Sequence, residues 1–366
     1  MIPTASHQMR SILRTTDDSE DMEAVVLDEW GGELAVETVP EPDPGATDVV
    51  VDVEACGVTR TIENAIQGGL ADDPGLTPLI PGHEFAGVVD GVGDEVDSVS
   101  VGDRVLAYFY LVCNRCDACR RGDTNQCYNF SGWYGVNCDG AYAEKATISA
   151  NNVLPLPDDA SFVDGAIATD GLATPLHVAE RTDIDDTDVV LILGAAGRIG
   201  IHMAQLATRR GAHVIAADID EDRLAHVDSV TDDRVVTVDA SDDDFSQQAR
   251  DASPLDIGPT VVVDTVGYLD TLSAAWDAMG MGGQLVTLTT HHGHAFAPEL
   301  QEYVIKEASI VGSRHATKDQ VVRAARMLAD GRVKPVQTET IGLEDVADTH
   351  ARIRSGDTHG MLILEP

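Results

Sequence analysis

The stretch LILGAAGRIGIHMAQLATRRGAHVIAADID, Leu191 to Asp220, decides the fold. It completes a buried strand (VVLIL), turns through Gly194, Gly197 and Gly200, continues with helical spacing, and ends in a second strand (HVIAAD) that closes on an acid. Strand, glycine turn, helix and strand in that order make one βαβ unit of a dinucleotide-binding fold. Gly194 permits the sharp strand-to-helix turn. Gly197 lets the backbone approach a diphosphate at the positive end of the helix, and Gly200 lets helix and strand pack closely. Ala196, Arg198 and Ile199 complete the cofactor-binding turn. Asp218 lies 18 residues after Gly200, where a carboxylate accepts hydrogen bonds from both ribose hydroxyls. A 2′-phosphate there would meet a like charge, so NAD is expected rather than NADP. The competing reading of the glycines alone is helix packing in some other α/β protein.

Working outward, strands and helices alternate from 189 to about 315: VVLIL, HVIAAD, RVVTVD, TVVVDTVG, QLVTLTT and SIVGS. Asp264, Thr265 and Val266 end the fourth of these, where ligands bind in open parallel sheets, and Thr265 and Val266 are expected to offer backbone contacts to the cofactor. Thr289 ends the fifth, and His291, His292 and His294 follow it as pocket-lining residues or as an exposed loop. Upstream, residues 22–110 look all-β, with short apolar runs broken by Pro, Gly and Asp turns. Residues 111–140 form a cysteine-bearing loop, and 141–157 return to strand character. From Ser161 the pattern turns helical. A last helix in ADTHARIRSG and the strand MLILEP are expected to return to the first domain. Residues 1–21 read as a disordered N-terminal extension.

With 366 residues, 43% of them hydrophobic, the chain can fill two cores. Its net charge is −39, and only four lysines occur (Lys145, Lys306, Lys318, Lys334). Such a surface repels nucleic acid and anionic membrane. The acids are spread along the chain rather than gathered in a tail, as on a halophilic surface, where self-repulsion is screened because the Debye length falls to about 3 Å at 1 M salt. An acidic mesophilic protein is the plainer alternative. No apolar run approaches the roughly 20 residues that span a bilayer, and the N-terminus lacks the features of a signal peptide. The chain is read as cytoplasmic.

Cys113, Cys116, Cys119 and Cys127 are spaced C-x2-C-x2-C-x7-C in a small polar loop. Four thiolates suit a tetrahedral structural zinc with no open position, and binding it can order a loop that has no core of its own. Reduced, metal-free cysteines are the alternative. An iron–sulfur cluster fits the spacing poorly.

These pieces together resemble the medium-chain dehydrogenase/reductase family, of the zinc alcohol dehydrogenase type: CGVTRT (56–61), PGHEFAGVV (81–89), VGDRV (101–105), the four-cysteine lobe, DGAYAEKA (139–146), GAAGRIG (194–200) and Asp218. The resemblance spans nearly the whole chain after Met22. It implies an α/β protein with a GroES-like catalytic domain (22–178 and 316–366, zinc lobe 111–128) interrupted by a Rossmann domain (179–315). It also implies hydride transfer to or from a nicotinamide, a small-molecule substrate, and a homodimer or homotetramer built through the Rossmann sheets.

The resemblance further assigns a catalytic zinc. His83 of the GHE motif matches the histidine ligand, Glu84 the adjacent acid, and Asp170, in ATDGLATPLH, falls where a third ligand comes from. Thr59 stands where the family has a cysteine ligand, and a neutral hydroxyl is a poor substitute for a thiolate. Cys56 is out of register and reads as a small buried residue. Arg60 matches an arginine that meets the cofactor diphosphate, and Thr61 the hydroxyl that takes the substrate proton. Asn64 replaces a proton-relaying histidine of some members. Thr289 falls where relatives have Gly near the nicotinamide. Two readings follow: an alcohol or polyol dehydrogenase with zinc on His83, Glu84 and Asp170, or an enoyl-thioester reductase of the archaeal acryloyl-CoA type that has lost this zinc. Retention of Arg60, Thr61, His83 and Asp218 disfavours a third, non-catalytic cofactor-binding relative.

Overall fold

The computed structural model of the chain describes residues 20–70, 73–254, 257–289, 295–336, 338–358 and 360–366. The chain divides into two compact units, one running up to Asp170 and resuming over Thr317–Pro366, the other comprising Gly171–Ala316.

The first unit is a β-rich body. Its leading part holds β1 (Asp21–Leu27), β2 (Leu34–Pro40), β3 (Asp48–Val58), α1 (Arg60–Ile66), β4 (Glu84–Val92), β5 (Arg104–Ala107), α2 (Asp117–Arg120), β6 (Lys145–Ser149), β7 (Val153–Pro155) and α3 (Phe162–Ile167). The segment 22–110 is therefore not wholly β. Thr59 caps α1 by accepting the Ile62 N–H on its hydroxyl, and Ile62, Ala65 and Ile66 bury one face at helical spacing. β1 and β2 form a hairpin, while the larger sheet runs β7, β5, β4, β3, with β6 also pairing on β3. β3 buries Val49, Val50 and Val51 in succession, opens at Asp52 and Glu54, and is buried throughout its last four residues, as a strand covered on both faces there should be. Lys145 on β6 sits among Glu41, Asp52 and Asp90, at 3.0, 3.6 and 2.8 Å. Burial and the neighbouring Asp90 charge raise the Asp52 carboxyl above its ordinary value.

The second unit is the doubly wound sheet. It contains α4 (Ala173–Arg181), β8 (Val189–Leu193), α5 (Arg198–Arg209), β9 (His213–Asp218), α6 (Glu221–Val230), β10 (Val235–Asp239), α7 (Phe245–Asp251), β11 (Val261–Asp264), α8 (Leu269–Ala278), β12 (Gln284–Thr287), α9 (Leu300–Ile305) and β13 (Ser309–Gly312). All six strands are parallel, in the order β10-β9-β8-β11-β12-β13. Counted within the unit that order is 3-2-1-4-5-6, the order of a Rossmann sheet. β8 is buried at every residue, consistent with helices on both faces. The chain then returns to the first unit through α10 (Lys318–Ala329), β14 (Thr338–Ile341), α11 (Val346–Ser355) and β15 (Met361–Leu364), with β15 antiparallel to β3 and parallel to β14. His291, His292 and His294, like the N-terminal residues before Glu20, lie outside the described residues.

Candidate active site

The glycine turn is built as its residues require. Gly194 has φ +72°, and a Cβ there would lie 2.6 Å from Thr265 Oγ1. A Cβ on Gly200 would lie 2.2 Å from the Gly194 carbonyl oxygen, so the close start of α5 against the turn admits no side chain. Gly197 is exposed and caps α5 without a side chain, so no capping side chain stands where an anion would meet the positive end of the helix. Asp218, at the end of β9, accepts the Ala196 N–H at 3.0 Å and the Ile219 N–H at 2.8 Å. Those two bonds hold its carboxylate beside the turn. Thr265 and Val266 follow β11, the strand beside β8 where the winding of the sheet reverses. The Thr265 hydroxyl donates to the Leu193 carbonyl at 2.7 Å, and Asp264 Oδ1 accepts the Val266 N–H at 3.1 Å. Thr289 is half-buried two residues after β12.

In the first unit, His83, Glu84 and Asp170 come together. One ligand atom from each lies within 4.8 Å of the others, and His83 Nε2 is 3.4 Å from Glu84 Oε1. His83 and Glu84 are buried. Glu84 opens β4 opposite Gly57 of β3, where a Cβ would fall 2.9 Å from Glu84 Oε2, so Gly57 makes room for the carboxylate. His83 packs edge-on against Phe109, with ring centroids 4.4 Å apart. Asp170 lies in a π-helical turn, Ala168–Leu172, between α3 and α4. Such a widened turn commonly marks a functional position. One imidazole and two carboxylates form a donor set for a hard or borderline divalent cation, and zinc fits it. Thr59 is buried with its hydroxyl engaged as the α1 cap at 3.4 Å from Ile62 N. Arg60 is exposed and Thr61 half-buried on the first turn of α1; Asn64 is exposed. Cys56 is fully buried in β3.

The four cysteines also converge. Their sulfur–sulfur contacts are 3.5 Å (Cys116–Cys119), 3.5 Å (Cys113–Cys127) and 4.0 Å (Cys116–Cys127). These are far too long for disulfides but close to the roughly 3.8 Å edge of a tetrahedron with 2.3 Å zinc–sulfur bonds. Backbone N–H groups of Cys116 and Cys113 point at Cys113 and Cys127 sulfurs, each at 3.3 Å. A hydrogen bond from Asn129 holds the Cys113 thiol down to about 5, whereas burial pushes Cys119 up to about 12. The donor set and its spacing fit zinc.

Two groups of site-adjacent residues carried no sequence signal. His202 on α5 is buried, with Nδ1 2.8 Å from the Gly171 carbonyl, and burial lowers it to about 4, so it is neutral. Glu63, Tyr142 and His350 form a buried polar chain beside α1. Helical spacing marks their elements but not their meeting.

Comparison with known proteins gives a consistent picture. The family model described as "Alcohol dehydrogenase GroES-like domain" matches residues 45–158, and the one described as "Zinc-binding dehydrogenase" matches 199–330. The chain is 31% identical to an alcohol dehydrogenase of Moraxella sp., over 94% of this chain and 99% of that one. It is 27% identical to an acryloyl-coenzyme A reductase of Sulfurisphaera tokodaii, over 94% of this chain and all of that one. A solved structure described as an NAD-dependent alcohol dehydrogenase superposes with a TM-score of 0.86 at 27% identity, covering 94% of this chain and 100% of the other.

Proposed function

The chain belongs to the zinc-binding dehydrogenase family of the alcohol dehydrogenase type, and from that premise we propose that it interconverts an alcohol and a carbonyl compound with NAD(H) and a zinc ion held by His83, Glu84 and Asp170. It is a nicotinamide-dependent oxidoreductase acting on a small molecule. The observation that carries the finer reading is the convergence of one imidazole and two carboxylates within 4.8 Å. A zinc ion bound there supplies a Lewis acid for an alcohol or carbonyl oxygen. Thr61 provides the hydroxyl that accepts the substrate proton. The exposed Asn64 cannot relay it by titration, so water takes it onward. Arg60 contributes positive charge for the cofactor diphosphate. Gly194, Ala196, Gly197, Arg198, Ile199 and Gly200 form the turn that binds this diphosphate, Asp218 takes the ribose hydroxyls, and Thr265, Val266 and Thr289 lie toward the nicotinamide. The four lobe cysteines would hold a second, structural zinc, and a set of close but unbridged cysteines supports a reducing compartment such as the cytoplasm.

A second reading is favoured by Thr59. With its hydroxyl capping α1, no thiolate ligand is present, which suits an enoyl-thioester reductase without the catalytic zinc. The two are separated by assaying NAD reduction with primary and secondary alcohols against NADH oxidation with an acryloyl thioester. Turnover only of the thioester sinks the alcohol dehydrogenase reading. In the same assays kcat/KM is expected to favour NAD over NADP by about 100-fold, since a carboxylate at the ribose repels a 2′-phosphate by roughly 2–3 kcal/mol. Asp218→Ser should shrink that ratio at least tenfold. A wild-type preference for NADP contradicts the assignment.

The net charge of −39 supports a protein suited to high salt. Activity and Tm are expected to rise as potassium chloride is raised from zero to about 2 M, because salt screens the repulsion among carboxylates. Lys145→Met, which removes the cation between Glu41, Asp52 and Asp90, should lower Tm more without salt than with it. Activity that peaks without added salt would count against the idea. The exposed apolar residues Leu300, Val304 and Ile305 on α9 and Ile310 on the edge strand β13 support a homo-oligomer, so sedimentation across the same salts should show a dimer or tetramer.

A further inference from the structure

Helix α11 holds three groups against α1. His350 Nδ1 lies 3.1 Å from Glu63 Oε2, Arg354 Nη1 donates to Glu63 Oε1 at 2.5 Å, and Arg60 Nη2 donates to the Ile353 carbonyl at 2.5 Å. Glu63 and His350 are each 2% exposed. Burial opposes ionisation of Glu63, but the hydrogen bonds from His350 and Arg354 outweigh it and leave its carboxyl below the ordinary value. A carboxylate can only accept, so the His350 Nδ1 atom carries the proton toward Glu63. In the neutral ring Nε2 is then an acceptor for the Tyr142 hydroxyl, 3.2 Å away. The Tyr142 ring rests on Gly82, which has φ +100° and where a Cβ would come 2.4 Å from Cδ1. One buried chain of contacts thus ties together α11, α1 at Glu63 and, through the Tyr142 ring, the residue preceding His83.

We propose that α11 is a clamp: His350 and Arg354 act through Glu63, and the Ile353 carbonyl acts on Arg60, to fix the first turn of α1 and with it the guanidinium that the proposed function gives to NAD(H). The carbonyls at the C-terminal end of a helix attract a guanidinium, so Ile353 restrains the arginine without neutralising it. This clamp matters because position 59 offers only a helix cap, and no thiolate tethers α1 to a metal. His350, Glu63 and Tyr142 are therefore positioning residues. A cavity of about 460 Å³ lined by Glu63, Gln67, His350 and Arg354 borders the clamp at its ion pair, while Tyr142 at its inner end is fully buried.

The proposal rests on the dinucleotide-binding reading, and NADH itself is the probe. Dissociation constants are measured by fluorescence titration of the full chain carrying Arg60→Ala, His350→Ala, both together, Glu63→Ala, Glu63→Gln and Tyr142→Phe, with Tm recorded for each. Expected are weakening of about 30-fold for Arg60→Ala and about 10-fold for His350→Ala, with the double variant staying near 30-fold, because a residue acting through another is not additive with it. Glu63→Gln, which keeps an acceptor for His350, should recover most of what Glu63→Ala loses. Tyr142→Phe keeps the ring on Gly82 and should weaken binding about threefold, a readout that survives if His350→Ala does not fold. Effects of Arg60 and His350 that multiply to about 300-fold, or a His350→Ala constant within about twofold of wild type, overturn the clamp while leaving the cofactor reading intact. A wild-type chain that does not bind NADH overturns both.

Discussion

Replacing His83 with alanine is expected to lower zinc content from two ions per chain to one and to reduce kcat/KM for alcohol oxidation by about 10³-fold or more, equivalent to roughly 4 kcal/mol of transition-state stabilisation. The size follows from the donor set. His83 is the single nitrogen among His83, Glu84 and Asp170, and no cysteine is available at position 59 to replace it. A divalent cation left on two carboxylates binds far more weakly than on three ligands. His83 is also buried and packed on Phe109, so part of any loss could come from packing. Asp170→Ala separates the two effects: this residue is half-buried in the π-helical turn and should cost the same zinc ion with little change in Tm. Metal analysis of the purified chain is the direct check. One zinc per chain, lost only when lobe cysteines are changed, would sink the zinc-assisted mechanism and leave the enoyl-thioester reading standing.

Changing Cys116 to serine is the second large effect. The variant should lose the lobe zinc and lower Tm by roughly 5–10 °C, while NADH affinity stays within about twofold. From Cys113 to Cys127 the only buried hydrophobic residues are Ala118 and Cys127, so the lobe has no core to hold it once the metal is gone. Structural zinc contributes on the order of 10 kcal/mol in small domains, and removing one thiolate in four forfeits a large part of it. The loss should spread to one further place. Lys318 Nζ donates to Asn114 Oδ1 at 2.7 Å and to the Asn151 carbonyl, and its backbone N–H reaches Thr124 Oγ1 at 3.1 Å. Burial lowers the Lys318 ammonium to about 8. Hydrogen exchange should therefore quicken both in 113–127 and at the Lys318 end of α10. Unchanged exchange and Tm after zinc loss would show that the lobe is held by protein contacts alone.

The two halves of the protein were unequally legible. Gly194, Gly197, Gly200 and Asp218 could be placed from their spacing, because a glycine turn between a strand and a helix is set by residues adjacent in the chain. The alternation of strand and helix with right-handed crossovers calls for a parallel sheet, whereas the order of its six strands was decided by the tertiary structure. The short helix α1 was missed inside a run of strands, since seven residues give too little periodicity to stand out. Its signal was Thr59 as a cap, read instead as a vacant ligand position. The Glu63–His350 contact, spanning 287 residues, left no trace at all.

The sequence by itself determined the glycine turn between β8 and α5, the acid beside it and the four-cysteine lobe. Each depends on backbone conformation and donor spacing over a few tens of residues, and there local chemistry decides. Only the tertiary structure decided that Glu84 would turn toward His83 over the space left at Gly57, that Asp170 would reach the same point from a π-helical turn, and that α11 would close on α1. Those meetings depend on strand register and on the burial of paired charges. Both are set by the packing of distant elements rather than by any local pattern.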